Sequence, residues 1–186
     1  MERAFIHFDD IDKYGLQRYS RSFDLEAGEI DRYEVESIGG ARIEAKADKG
    51  ELAGEYVVEG EVACTADLRC ARCVEPFPFA ITSPFHLRYR ARQEAPEQTE
   101  EEVEISAGEL DVDFYSERSL SLREMAIAQI QLSIPMKPLC DESCLGLCPQ
   151  CGANRSREGC SCRSEATDER WGALGGIREL LTKKDQ

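Results

Sequence analysis

The chain has 186 residues, 41% of them hydrophobic and 32% charged, with a net charge of −14. That length suits one domain, or one domain with a small module, and no apolar run approaches the roughly 18 residues that a membrane-spanning helix needs. The acidity is uneven: residues 1–134 hold 15 Lys and Arg against 29 Asp and Glu, while residues 135–186 hold 8 of each. Affinity for nucleic acid rests largely on cations that neutralise phosphates, so a general nucleic-acid binder is disfavoured, whereas docking onto a basic protein fits.

From Phe5 to Asp24 the apolar residues Ile6, Phe8, Tyr14, Leu16 and Tyr19 are scattered and suggest short extended pieces. Arg42 to Ala47 alternates, and Asp48-Lys49-Gly50 reads as a turn. Tyr56 to Cys64 is rich in β-branched and aromatic residues, and Leu68 to Cys73 continues that strand. Another strand starts at Phe77 and runs through Phe85, Leu87 and Tyr89. Ser83-Pro84 interrupts it, which points to an edge or a bulge. Cys70 and Cys73 then fall at a hairpin tip, and Cys64 reads as a small strand residue rather than a ligand.

Residues 91–104 are acidic, with one proline, and read as a solvated loop or a docking segment for a basic partner. Val103 to Tyr115 suggests one more strand or hairpin. The clearest helix spans residues 121–134. Ser121 and Glu124 have capping-box spacing, Leu120 can staple onto Met125, and Leu122, Met125, Ala126 and Ile130 line one face. Pro135 ends it. Farther on, Trp171, Leu174, Ile177 and Leu181 approach helical spacing, weakened by Gly172, Gly175 and Gly176.

The chemistry lies in the cysteines. Eight of nine fall in groups: Cys70 and Cys73; Cys140 and Cys144; Cys148 and Cys151; Cys160 and Cys162. Two cysteines two residues apart can both reach one ion across a tight turn, and Cys148-Pro149-Gln150-Cys151-Gly152 has the form of a zinc knuckle. The segment Cys140–Cys162 has few apolar side chains to offset backbone ordering, which costs roughly 1–2 kcal/mol per residue. Binding of structural zinc contributes on the order of 10 kcal/mol in small zinc peptides, so metal rather than an apolar core is expected to hold this segment. Disulfides belong to secreted chains, and no apolar targeting segment opens this sequence, so a cytoplasmic location is expected. A thioredoxin-like redox pair should open a helix, and Val74-Glu75-Pro76 after Cys73 makes a poor one. The preferred pairing puts Cys148, Cys151, Cys160 and Cys162 on one zinc and Cys70, Cys73, Cys140 and Cys144 on a second. The alternative is a single zinc held by Cys70, Cys73, Cys148 and Cys151.

Cys70-Ala-Arg-Cys73, the run Ile134 to Asn154, Cys160-Ser-Cys162 and Asp168-Glu-Arg-Trp171 together resemble the YceD family of bacterial and plastid large ribosomal RNA subunit accumulation proteins. The likeness runs from about Cys70 to the C-terminus. Two positions depart from the family pattern: Asn154-Arg155-Ser156 stands for Asn-Leu-Asn, and Asp168-Glu169-Arg170 for Asp-Pro-Arg. The resemblance implies a role in large-subunit ribosome biogenesis without catalysis. Its implied partners are a large-subunit ribosomal protein or a pre-ribosomal particle, with ribosomal RNA contacted indirectly and no membrane. A zinc-ribbon protein binding RNA directly, or a thiol or metal-handling protein, are the alternatives. With only His7 and His86, and with no phosphate loop or metalloprotease helix, the sequence offers no catalytic centre. The expected fold is α+β: an antiparallel, partly closed meander with one main helix over residues 1–134, and a zinc module with a C-terminal helix over residues 135–186.

Overall fold

A computed structural model describes residues 4–92, 112–157 and 160–162. The chain divides into two compact units, Met1–Cys144 and Leu145–Gln186. In the first unit the tail after the main helix is hydrogen-bonded to a turn at the edge of the sheet: Ala71 N–H donates to Pro138 O at 2.8 Å.

In the first unit, β1 (Phe5–His7) leads into α1 (Phe8–Tyr14), followed by β2 (Gln17–Phe23). The short helix replaces an expected extended piece. Phe8 and Ile11 lie three apart and are fully buried, and Asp9 and Asp10 sit in the first turn, where the helix dipole favours them. Gly15 ends the helix with φ +73° and donates to Ile11 O at 2.8 Å. Then come β3 (Val35–Ile38), β4 (Ala41–Lys49), β5 (Tyr56–Arg69), β6 (Pro76–Ala91), β7 (Val112–Tyr115), β8 (Ser119–Ser121) and α2 (Leu122–Ser133). Ser121 Oγ caps α2 by accepting from Glu124 N–H at 3.3 Å.

The main sheet runs β2-β4-β5-β6-β7, with β3 also beside β5, and β1 and β8 form a separate pair. Every pairing is antiparallel except β6 with β7, which is parallel. The meander therefore stops at β6. A parallel neighbour needs a crossover rather than a tight turn, and the connection, residues 93–111, lies outside the described residues, as does the predicted helix near 169–181. No described pairing joins β2 to β7.

Pro84 sits in an unbroken β5–β6 register opposite Glu61, so no bulge forms. It is tolerated because β6 is an edge there among the described residues, where β7 pairs with Arg88–Ala91. Pro76, Pro78 and Pro84 share one parity along β6, so their missing N–H groups all face the side away from β5. At Gly60, between Ala45 and Phe85, an added Cβ would lie 2.0 Å from Glu44 O, so the sheet closes too tightly there for any side chain.

One apolar core joins sheet and helix, with Ile43, Val58, Val62, Leu68, Leu122 and Ile130 fully buried. Cys64 belongs to it, opposite Ile81, and burial raises its thiol pKa. Glu55 is buried and anchors one end of β5. It accepts from Arg88 Nη2 at 2.7 Å and from Glu51 N–H at 3.1 Å.

Candidate metal centres

The structure brings the eight grouped cysteines into two sets, Cys70, Cys73, Cys140, Cys144 and Cys148, Cys151, Cys160, Cys162, with the four sulfurs of each set within 4.8 Å of one another. This is the two-site pairing, and Cys148 and Cys151 do not join Cys70 and Cys73. Four thiolates on a tetrahedral ion with bonds near 2.3 Å stand about 3.8 Å apart. Cys73 Sγ to Cys140 Sγ is 3.7 Å, Cys70 Sγ to Cys144 Sγ 4.0 Å, and Cys151 Sγ to Cys160 Sγ 3.6 Å. Both sets thus fit a tetrahedral ion with soft sulfur ligands, the donor set that selects zinc or iron.

The first set is built on the sheet. β5 and β6 end at a tip whose ladder closes with Cys70 N–H donating to Glu75 O at 2.9 Å. Cys70 and Cys73 are buried there, with Phe77 and Leu139 packed against them. The other two ligands arrive from the tail of α2. Arg32 fixes that tail by donating to Ile134 O at 3.2 Å and Pro135 O at 2.9 Å, which satisfies carbonyls the helix leaves open. Arg32 is itself held by the buried Glu34 at 3.2 Å. Arg72, between the two tip cysteines, donates to Glu142 O at 2.9 Å and Cys144 O at 2.8 Å and so ties the two ligand pairs together.

The second set is local. Cys148 N–H donates to Ala153 O at 2.8 Å, and Leu147 bridges Asn154, making a miniature hairpin around the knuckle. Buried Asn154 holds the loop that follows, its Oδ1 accepting from Ser156 N–H at 3.1 Å. Three of its four cysteines are exposed or half-buried, whereas in the first set three of four are buried.

Both knuckles use the same backbone device. The residue after the second cysteine turns left-handed and donates to the first cysteine's carbonyl: Gly152 (φ +75°) at 2.8 Å, and Val74 (φ +65°) at 2.9 Å. Glycine adopts this conformation freely, and a β-branched residue is strained in it. The Cys-x-x-Cys spacing already pointed to both turns, but nothing in the sequence near Cys73 marks Val74 as left-handed.

The sulfurs are electrostatically unequal. Burial pushes the Cys70 thiol up, but the backbone N–H groups of Cys140, Cys73 and Arg72 outweigh it and bring it down to about 6. The N–H groups of Cys151 and Gln150 bring Cys148 down to about 6 as well. Burial and the neighbouring sulfurs push Cys140 up to about 12, and Cys160 and Cys151 push Cys162 up to about 12. Each set therefore pairs one sulfur whose thiolate the backbone N–H groups favour with another whose thiolate its surroundings disfavour.

The family model described as large ribosomal RNA subunit accumulation protein YceD matches residues 58–178. The chain belongs to the YceD family. The match takes in every one of the eight clustered cysteines. A chloroplastic protein of Arabidopsis thaliana, large ribosomal RNA subunit accumulation protein YCED homolog 1, is 38% identical over 56 residues, which are 30% of this chain and 17% of the plant protein. Uncharacterised proteins of Mycobacterium tuberculosis and Mycobacterium bovis are 30% identical over 118 residues, 63% of this chain and 53% of theirs. The chain thus spans about half the length of the mycobacterial relatives and a smaller part of the plant one. No solved structure matches. Among the described residues no helix is long and apolar enough to cross a membrane.

Proposed function

We propose that this YceD-family chain supports accumulation of large-subunit ribosomal RNA as a cytoplasmic, non-catalytic binding protein, with both cysteine sets holding structural zinc. The two closed sets of four sulfurs carry this reading, combined with the family's description. Four thiolates fill a tetrahedral ion and leave no position for substrate or an activated water. Zinc would neutralise part of the crowded sulfur charge and lock each turn, and the protein's own residues supply the rest. The hairpin tip and Arg72 orient one set, and Asn154 the other. The acidity of residues 1–134 favours a basic ribosomal protein, or a pre-ribosomal particle presenting one, over naked RNA.

Elemental analysis of protein purified without added metal should give two zinc per chain. Depletion in the source organism should lower mature large-subunit RNA, and the wild-type gene should restore it. One zinc per chain, or unchanged ribosomal RNA, would refute the corresponding half of the reading. Direct RNA binding is the second reading, favoured by the charge balance of residues 135–186 and by exposed Arg155. It predicts RNA affinity that falls steeply with salt. A metal-handling role predicts zinc that passes readily to competing chelators.

A further inference from the structure

The first unit carries several large apolar side chains in water. Tyr33 and Met136 are each 89% exposed, Leu132 79% and Val74 50%. They lie far apart in sequence, yet backbone and side-chain bonds bring their segments together. Arg69 N–H donates to Glu34 O at 2.7 Å, Ala71 N–H to Pro138 O at 2.8 Å, and Arg32 to Pro135 O at 2.9 Å. These bonds place the segments of Tyr33 and Met136 and the turn of Val74 beside the first cysteine set, and Leu132 lies in the last turn of α2, which leads into it. Val74 adds an independent sign. It is a β-branched residue held left-handed and exposed, at the position where the second knuckle has glycine. Strained residues of this kind cluster at functional contacts. Exposed apolar patches on soluble proteins mark interaction sites.

We infer that Tyr33, Val74, Leu132 and Met136 form a docking surface for a basic protein segment that presents apolar anchors. This rests on the function proposed above and gives it a place on the molecule. Charge selects the occupant. Residues 1–134 carry 15 basic against 29 acidic side chains, so a second copy of this chain is repelled and a cationic partner is attracted.

The test uses the full zinc-loaded chain, with basic proteins of the large ribosomal subunit purified singly as probes. Wild type should bind at least one of them, less tightly as salt rises. Tyr33→Ser with Met136→Ser should weaken that binding about tenfold or more, since central apolar anchors dominate interface energy. Val74→Gly should melt higher than wild type and yet bind more weakly, a combination that a purely structural role for Val74 does not give. Equal affinity in the double variant overturns the surface and leaves the proposed function standing. Failure of wild type to bind any of these proteins overturns both. Self-association that the double variant abolishes would assign the surface to a second copy. A lower melting temperature of the double variant would assign it to the chain's own residues 163–186. Either result overturns the inference.

Discussion

The two cysteine sets have the same ligands and the same turn, but they rest on different supports. The first borrows its order from a 14-residue strand, a 16-residue strand and the tail of a capped helix. Among the described residues the second has a miniature hairpin and the loop held by Asn154. The difference teaches how far a metal must do the work of a core. Where the sheet has already ordered the ligands, the metal closes an existing structure. Where few apolar contacts exist, it must offset most of the ordering entropy itself. The same contrast accounts for Val74, since a well-anchored tip tolerates a strained turn and a weakly anchored one uses glycine.

The largest effect should come from separating the sets. Cys144→Ser removes a buried ligand of the first set and should lower the stability of the β unit by on the order of 5 kcal/mol. Cys160→Ser should leave the melting of that unit within about 0.5 kcal/mol of wild type, as independent sites do. Calorimetry of the two variants checks both, and equal losses would erase the distinction.

Acid should separate the sets next. Burial pushes the Glu55 carboxyl up, but the Leu52 N–H and Arg88 outweigh it and hold it below its ordinary value of 4.5. Its stabilising contribution is therefore complete above that unfolded value and is lost as pH falls through the lower folded one. Thiolate ligands are recaptured by protons at higher pH than this. In a descending titration the second set should release its metal while the far-UV sheet signal persists, and the sheet should fail later. Simultaneous loss would show that the two are one cooperative structure.

The smallest effect exchanges the turn residues. Val74→Gly should stabilise the first unit by about 1 kcal/mol, and Gly152→Val should weaken metal retention in the second set by a similar amount. Thermal melts and chelator competition read the two changes.

Much of the β unit was legible from alternation, as at Arg42–Ala47, and α2 from its cap and apolar face. The eight grouped cysteines were legible from spacing, but spacing left two pairings open, and which pairs come together depends on a contact between Cys70–Cys73 and Cys140–Cys144 across about 70 residues. Helix α1 was missed because a seven-residue helix shows only two core positions, Phe8 and Ile11, too few to set a period. The parallel pairing of β7 was illegible for another reason. Strand direction is decided by the crossover, and alternation in four residues carries no direction. Arg32 and Arg72 were read only as charge, since their roles depend on carbonyls about 100 and 70 residues away.

The prolines of β6 have a consequence for the protein in crowded solution. Long strands with an open margin invite another chain to stack alongside, the first step toward fibres. Pro76, Pro78 and Pro84 leave that margin with acceptors but few donors. A foreign strand laid against it cannot complete its ladder, so β6, the longest described strand, resists such stacking along the stretch that no described strand pairs.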